Sequence, residues 1–310
     1  MKPLVVILGP TAVGKTAVGI QLCQRINGEI VSGDSMLVYK KMDIGTAKPS
    51  LVERQHVPHH MIDILEPSEA YNVVQFQEKA TGYIGEIHQR DRIPILLGGT
   101  GLYVRAIVEG YQFTPASSND ILRRQLQEEA EVHGNQHVWD KLNAIDAATA
   151  ARLHPNDQRR IIRAIEVYKN TGTPLSWQYL ADHNIPYKLA LIGLTMPREL
   201  LYQRINSRVD IMIESGLEAE VRELLRDGYG PDMVAMKGLG YRQMIGYLAG
   251  EYDLEHAIYL IKRDTRHFAK RQMTLFKKIS GVEWFDVSEY QSTQSLVDDV
   301  YRSIARKICI

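Results

Sequence analysis

The segment Gly9–Thr16 constrains the fold of this chain more than any other, because it fits the G-x-x-x-x-G-K-[ST] pattern of a phosphate-binding loop. An apolar, β-rich run, Leu4–Leu8, precedes it, and a helical pattern begins at Thr16. In a strand, glycine loop and helix arranged in this order, backbone N–H groups point at one anion. We expect Lys15 to reach the phosphates and the Thr16 hydroxyl to ligate Mg²⁺. The motif predicts polyphosphate binding and leaves open which compound binds and what reaction follows.

Charge and cysteine content exclude several classes of protein. The 310 residues carry no formal net charge, so any nucleic-acid partner must be held by local basic patches. The two cysteines, Cys23 and Cys309, are far apart, which argues against a disulfide framework or a zinc site and favours the reducing cytoplasm. The chain runs directly into its first strand, and we find no apolar run long enough to span a bilayer. We therefore expect a cytoplasmic protein with no membrane partner.

Apolar runs alternate with amphipathic patterns along much of the chain. Strands are predicted at Leu4–Leu8, Glu29–Ser32, Ile93–Leu97, Tyr187–Leu194 and Val282–Asp286. The helices predicted with them are Lys15–Arg25, Val73–Gln89, Leu102–Val108, Pro197–Arg226, Asp253–Ile279 and Thr293–Lys307. Strands separated by helices indicate an α/β fold, here a P-loop NTPase-like parallel sheet flanked by helices. Ligands of such sheets bind at the carboxyl ends of the strands.

Only helices are predicted in the middle of the chain. Asn119 is a candidate cap for a helix that ends at Val132, and further helices are predicted at His137–Leu153 and Asp157–Tyr168. We therefore expect an all-helical insertion domain at 114–186. The catalytic core and its C-terminal helices would then comprise 1–113 and 187–310.

Three further groups of polar residues are candidates for chemistry. Asp34 follows the second strand and is placed either to ligate a metal or accept a proton, or to form a turn with its own backbone. Thr100 follows Gly98 and Gly99 at the end of the third strand, where glycines allow close approach to a ligand. Arg204 and Arg208 share one face of a predicted helix, which suits either diphosphate binding or a solvated surface.

Two basic clusters are candidates for contacts with nucleic acid. Arg159, Arg160 and Arg163 begin the third helix of the insertion. The helix predicted at Asp253–Ile279 carries a broad basic face formed by Lys262, Arg263, Arg266, Lys270 and Arg271. Such a face predicts contacts with a phosphate backbone, and a solvated amphipathic helix is the alternative.

Longer blocks of sequence point to a family. The segments at 32–39, 42–49, 98–103, 154–157, 237–243 and 269–272 together resemble the tRNA dimethylallyltransferases, also called tRNA isopentenyltransferases. The resemblance runs from the phosphate loop to about residue 285. The C-terminal zinc finger of the eukaryotic members is absent, so the chain resembles the bacterial type.

The resemblance implies transfer of a dimethylallyl group from dimethylallyl diphosphate to the N6 amine of the adenosine on the 3′ side of the anticodon. Asp34 would accept the proton, and Thr100 and Arg208 would be catalytic near the diphosphate. The residues implied to hold diphosphate are Gly9, Thr11, Ala12, Val13, Gly14, Lys15 and Thr16, with Mg²⁺ on Thr16. The residues implied to contact the anticodon stem-loop are Asp34, Ser35, Met36, Leu37, Arg159, Arg160, Arg163, Lys237, Gly240, Tyr241, Arg242, Gln243, Lys270, Arg271 and Gln272. The insertion would clamp the tRNA, and the enzyme is expected to be a monomer.

Three alternatives remain open from the residues themselves. A small-molecule kinase would share the loop and the carboxylate after the second strand, and it would require ATP. An adenylate isopentenyltransferase would prenylate free AMP, ADP or ATP in the same crevice without a tRNA clamp. A non-catalytic RNA-binding protein would have no reason to keep Lys15, Thr16, Asp34 and Thr100 together.

Overall fold

The computed structural model describes residues 1–111, 113, 119–179 and 185–308 of the chain. It divides the chain into two compact units. The core unit contains Met1–Val108 and Pro186–Ile310, and the insertion unit contains Glu109–Ile185. The boundaries expected from the sequence lie after residues 113 and 186, and the residues at 114–118 that suggested the first boundary lie outside the described ones.

A six-stranded parallel sheet forms the centre of the core unit. Its strands are β1 (Lys2–Leu8), β2 (Gly28–Ser32), β3 (His59–His60), β4 (Ile93–Gly98), β5 (Tyr187–Thr195) and β6 (Glu283–Asp286). They are arranged in the order β3-β2-β4-β1-β5-β6, and every pair is parallel. This confirms the predicted α/β fold. The two-residue edge strand β3 is additional and is too short to leave a periodic pattern in the sequence.

Helices cover both faces of the sheet. In the core unit they are α1 (Lys15–Ile26), α2 (Val73–Gln89) and α3 (Gly101–Val108), followed after the insertion by α8 (Arg198–Glu214), α9 (Leu217–Arg226), α10 (Tyr241–Leu248), α11 (Leu254–Phe276) and α12 (Thr293–Ile308). The insertion unit contains α4 (Asp120–His133), α5 (Asn135–Ile145), α6 (Ala147–Ala150) and α7 (Gln158–Thr171). Short 3₁₀ turns occur at Leu175–Tyr179, Ala235–Lys237 and Val287–Glu289. No described helix has the length and apolar character needed to cross a bilayer.

The central strand β1 is buried on both faces. Leu4 and Val6 pack into one apolar cluster with α2, α3 and α11, whereas Val5 and Ile7 pack into a second cluster with α1 and α12. All four side chains are completely inaccessible to solvent. A strand buried in this way must read as a continuous apolar run, which explains why the sequence locates it correctly.

Two predicted helices are broken in the structure. The helix predicted at Pro197–Arg226 is wrong as one element, because Gly216 adopts a left-handed conformation (φ 97°) that ends α8 and starts α9. The helix predicted at His137–Leu153 is also wrong as one element. It stops before Asp146, whose carboxylate accepts the Thr149 N–H at 3.0 Å and caps α6 instead.

The insertion unit has its own apolar core. The residues Leu126, Val138, Leu142, Ile161 and Ile165 form this core and are almost fully buried. Glu166 is also fully buried, and it accepts hydrogen bonds from the Asn119 backbone N–H (2.7 Å) and from Arg123 and Arg163. The predicted cap is confirmed, since the Asn119 side chain accepts the Leu122 N–H at 3.0 Å.

Candidate active site

A cavity of about 1300 Å³ lies in the core unit at the carboxyl ends of the strands. It is lined by the phosphate loop, by Asp34 and Gly99, by the loop at 43–49 and by one face of α8. Loops that are far apart in the sequence meet here, because every strand of the sheet points in the same direction. The cavity therefore brings together an anion-binding loop, a carboxylate and two arginines.

The phosphate loop between β1 and α1 requires its glycines. Gly9 (φ 156°) packs so closely on the neighbouring strand that a Cβ atom would lie 2.6 Å from the Leu194 carbonyl oxygen. Gly14 (φ 106°) forms the left-handed entry to α1. Beyond it, the first N–H groups of the helix have no partner within the helix, so they can bind an anion. The Val13 side chain is fully buried, and its backbone N–H donates to the Pro10 carbonyl oxygen at 3.4 Å.

Lys15 lies close enough to Asp34 and Arg208 for both charges to act on its ammonium group. Its Nζ donates to the carbonyl oxygens of Gly9 (2.9 Å) and Pro10 (2.8 Å). Burial lowers the pKa of Lys15 to about 7; the charge of Asp34 opposes this shift and that of Arg208 adds to it. Burial also lowers the pKa of Arg208, and the charge of Asp34 counteracts that effect. Because burial disfavours the charged forms of Lys15 and Arg208, an anion bound beside them would be stabilised and would in turn stabilise their charges.

The loop that carries Asp34 is tied to the end of β4. The Ser35 N–H donates to the Thr100 Oγ1 at 3.1 Å, and the Thr100 N–H donates to the Gly33 carbonyl at 3.2 Å. Asp34 Oδ1 accepts the Met36 N–H at 2.8 Å, which is the turn expected as the alternative to a functional role. Asp34 nevertheless lines the cavity, so the turn fixes the carboxylate in place while Oδ2 remains available.

Thr100 and the two glycines before it make different contacts in the structure. Thr100 is not among the described residues that line the cavity, and its hydroxyl accepts the Ser35 N–H (3.1 Å) and donates to the Ser35 Oγ (3.3 Å). Gly98 is required by packing, because a Cβ atom there would lie 2.3 Å from Val104 Cγ2. Of Gly98, Gly99 and Thr100, Gly99 alone is among the described residues that line the cavity. A Cβ atom at Gly99 would lie 3.4 Å from Asp34 Oδ2.

Both predicted arginines of α8 line the cavity. Arg204 Nη1 approaches the Val13 carbonyl at 3.4 Å and is the more exposed of the two. Arg208 is enclosed, and the charges of Asp34 and Glu53 act on it. The enclosed position of Arg208 favours it as the arginine that holds an anion deep in the cavity.

The basic face of α11 is smaller than predicted. Lys262 pairs with Asp210 (2.5 Å), Arg263 pairs with Asp264 (2.8 Å), and Arg266 donates to Asn206 (2.8 Å). Lys270 and Arg271 are exposed and remain available for nucleic acid. Lys237 and Arg242 are also exposed, and Arg242 pairs with Asp264 at 2.9 Å.

The arginines of the insertion unit differ in the same way. Arg159 and Arg160 are exposed, and Arg160 lies 3.3 Å from Asp157. Arg163 is half-buried and pairs with the buried Glu166 at 2.5 Å. Arg163 therefore stabilises the insertion unit, and the exposed Arg159 and Arg160 are better placed for an RNA backbone.

Three of the residues expected to contact tRNA have buried side chains that are bonded within the chain. Tyr241 is fully buried, and its hydroxyl donates to Glu220 at 2.7 Å. Gln243 is 3% exposed, accepts the Gly240 N–H (3.0 Å) and donates to Asp264 (2.9 Å). Gln272 is 5% exposed, and both ends of its amide are bonded to backbone groups. These side chains shape the loops around the cavity instead of presenting polar groups at its surface.

Glu220 on α9 is a further residue of the site that the sequence analysis missed. Its carboxylate accepts the backbone N–H groups of Asp43 (2.8 Å), Ile44 (2.7 Å) and Gly45 (3.1 Å), in addition to the Tyr241 hydroxyl. The loop held in this way lines the cavity. No local pattern indicates the contact with this loop, because its three backbone donors are more than 170 residues away from Glu220.

Oxygen ligands for a metal ion are few. In the described ranges of the chain, no group of three or more His, Cys, Asp or Glu side chains forms a metal site. Thr16, at the first turn of α1, lines the cavity beside the phosphate loop and offers a hydroxyl oxygen. Mg²⁺ usually takes one or two protein ligands and completes its shell with water and substrate phosphates, so a single hydroxyl beside a diphosphate site fits that ion.

Comparisons with known proteins place this geometry in a family. The model of the family described as IPP transferase matches residues 37–279. A tRNA dimethylallyltransferase from Carboxydothermus hydrogenoformans is 50% identical over 299 residues, which cover 96% of each chain. The crystal structure of a full-length tRNA isopentenylpyrophosphate transferase from Bacillus halodurans is 43% identical, with a TM-score of 0.73 and coverage of 99% of this chain and 98% of that one. A eukaryotic dimethylallyltransferase acting on tRNA has a TM-score of 0.84 at 28% identity, with coverage of 99% and 80%.

Proposed function

The chain belongs to the IPP transferase family of tRNA dimethylallyltransferases, and from this premise we propose that it transfers a dimethylallyl group from dimethylallyl diphosphate to tRNA. The acceptor is the N6 amine of the adenosine on the 3′ side of the anticodon, and diphosphate is released. The observation that carries the proposal is that Lys15 and Arg208 line the same cavity as Asp34. An anion site facing a carboxylate is what this reaction requires.

The phosphate loop and α8 hold the leaving group. Backbone N–H groups at the start of α1, the Lys15 ammonium and the Arg208 guanidinium surround the position of the diphosphate. Negative charge grows on the diphosphate as the C–O bond of the donor breaks. These preorganised donors stabilise that charge most strongly in the transition state, which lowers the barrier.

Asp34 acts on the acceptor. The lone pair of the adenine amine is delocalised into the ring, so the amine is a poor nucleophile until a proton leaves it. As the C–N bond forms, the N6 proton passes to Asp34 Oδ2, because Oδ1 already accepts the Met36 N–H. Ser35 and Thr100 hold this loop against β4 and so orient the carboxylate.

Mg²⁺ would be held by the Thr16 hydroxyl together with the diphosphate oxygens. When bound, it supplies further positive charge to the leaving group. Anion binding by Lys15 and Arg208 and proton transfer to Asp34 are functions of the protein side chains.

The acceptor base must leave the stack of the anticodon loop to reach Asp34. The exposed cations of the core unit, Lys237, Lys270 and Arg271, suit contacts with the RNA backbone near the cavity. Arg159 and Arg160 supply similar charges on the insertion unit. Once inserted, the acceptor adenine fills the space beside the donor and excludes water. Water would otherwise react with the electron-poor allylic carbon.

The proposal is tested by incubating the protein with Mg²⁺, dimethylallyl diphosphate and an anticodon stem-loop RNA, followed by mass spectrometry of the nucleosides. A parallel reaction contains AMP instead of RNA. We expect prenylated adenosine from the RNA only. Prenylated AMP alone would establish the adenylate isopentenyltransferase alternative. ATP consumption on a metabolite screen, without product in either reaction, would establish the kinase alternative.

Asp34→Ala separates binding from chemistry. We expect this variant to bind the stem-loop with wild-type affinity and to lose turnover, because the base is removed and the cations that hold RNA remain. Stem-loop affinity and initial rates are compared with those of Glu223→Gln, an exposed change on α9. Equal loss of affinity and turnover would contradict the assignment of Asp34 as the base.

A further inference from the structure

Gln272 connects two loops of the candidate active site. Its Oε1 accepts the Thr11 N–H of the phosphate loop at 2.8 Å, and its Nε2 donates to the Gly99 carbonyl at 2.6 Å. The side chain is 5% exposed, so water does not compete for either bond. A primary amide can accept from one loop and donate to the other in only one orientation, so the two loops are held in a single arrangement.

The helix that carries Gln272 is itself fixed. Ala269 and Phe276, which flank Gln272 on α11, are fully buried. Closer to the N-terminus of α11, Lys262 and Arg266 are bonded to Asp210 and Asn206 of α8. The amide is thus presented by a helix that is anchored by packing on both sides of Gln272 and by polar contacts with α8.

The bonds continue from Gln272 to the proposed base. The Gly99 loop includes Thr100, whose hydroxyl accepts the Ser35 N–H and whose N–H donates to Gly33. These two residues flank Asp34. On the other side, the Thr11 N–H is occupied by Gln272, so Thr11 serves this connection and does not offer its backbone donor to the diphosphate.

We propose that Gln272 is a positioning residue that sets the phosphate loop relative to the Gly99 loop, and through them the allylic diphosphate relative to Asp34. This inference rests on the proposed function and deepens it. In productive turnover the C–O bond to diphosphate breaks, the C–N bond to the adenine amine forms, and the N6 proton passes to Asp34. If the loops shift, the amine and the base lose their alignment with the allylic carbon, and water reacts instead. That reaction gives dimethylallyl alcohol and diphosphate and releases a proton to solvent.

The test uses two variants of the full chain and one matched control. Gln272→Met retains the length of the side chain and removes both hydrogen bonds, and Gln272→Glu retains only the acceptor for Thr11. Gln294→Met makes the same chemical change at an exposed position of α12. For each protein we would measure kcat and KM for RNA prenylation, the ratio of donor hydrolysis to transfer, and stem-loop affinity.

For Gln272→Met we expect kcat to fall at least about tenfold, since a misplacement of one ångström can cost about 100-fold in rate. The ratio of hydrolysis to transfer should rise, and stem-loop affinity should stay at the wild-type value. A purely structural role would lower the amount of folded enzyme without changing that ratio. The proposal is overturned if the ratio and kcat of Gln272→Met equal those of Gln294→Met. If Gln272→Met does not fold, the same comparison is made with Gln272→Glu.

Hydrogen exchange keeps this inference separate from the proposed function. A wild-type protein that forms no prenylated RNA contradicts the proposed function. In that event, faster exchange at the Thr11 amide in Gln272→Met than in Gln294→Met would still support the connection between the loops. Equal exchange rates would overturn it.

Discussion

Glu220 provides a direct test of how the loop at 43–49 is held. Its carboxylate accepts four hydrogen bonds, three from consecutive backbone N–H groups and one from the buried Tyr241 hydroxyl. In Glu220→Gln the amide keeps one acceptor oxygen and turns an NH₂ group toward donors. At least two of the four bonds are lost, and the Tyr241 hydroxyl has no access to water as a replacement partner.

The expected loss can be estimated from these contacts. A hydrogen bond to a charged group contributes about 1.5–3 kcal/mol, and an orphaned buried hydroxyl costs about 1–3 kcal/mol. Backbone N–H groups at the exposed edge of the loop regain water and offset part of this loss. We therefore expect Glu220→Gln to lower the free energy of unfolding by about 3 kcal/mol, or Tm by about 6 °C at about 2 °C per kcal/mol.

Urea denaturation followed by fluorescence and circular dichroism measures the change. Glu223→Gln is the matched control, because Glu223 is exposed on the same helix, and it should stay within about 0.5 kcal/mol of the wild type. Combining Glu220→Gln with Tyr241→Phe should cost less than the sum of the single changes, because the two side chains share one bond. A Glu220→Gln variant as stable as the control would refute the reasoning.

Three further outcomes are expected. Diphosphate binding should take up a proton above pH 7, because an anion restores the charge of Lys15, whose pKa is about 7; calorimetry in buffers of different ionisation heat should detect this uptake, and Lys15→Met should abolish it. Gly98→Ala should destabilise the protein by about 1–3 kcal/mol through overpacking against Val104, and a second change, Val104→Ala, should restore stability in a denaturation experiment. Burial alone would raise the pKa of Glu166, but the hydrogen bonds from Arg123, Asn119 and Arg163 outweigh it, so the pKa is lowered. The ionised Glu166 therefore stabilises the fold fully above the ordinary glutamate range, and this stabilisation is lost as the pH falls through the lowered pKa. Glu166→Gln should accordingly make the free energy of unfolding less dependent on pH in the acid range, as measured by denaturation at a series of pH values.

The sequence predicts the parts of this protein that are encoded locally. β1 and β4 are buried on both faces and appear as apolar runs, and the phosphate loop requires glycines at fixed spacing. Because parallel strands end at one edge, the meeting of Asp34 with the phosphate loop also follows from the order of elements.

Contacts between distant residues leave no such pattern. The break at Gly216 is visible in the sequence only as a glycine between helical patterns, and the apolar periodicity on both sides suggests one continuous helix. Gln272 lies beside exposed cations on a basic helix, and only the structure reveals that it faces inward. Polar residues that connect loops across a fold are therefore the class most easily mistaken for surface contacts.

The order of the strands has a consequence for the evolution of this active site. β4 lies between β1 and β2, so the loop that grips the anion and the loop that carries Asp34 are two strands apart. At about 4.8 Å between neighbouring strands, this interval is about 10 Å. Backbone hydrogen bonds from β4 to β1 and to β2 set this distance between the two loops. Side chains around the crevice are free to change in selecting a different donor or acceptor, whereas the interval between the anion-binding loop and the loop that carries the base is inherited with the sheet.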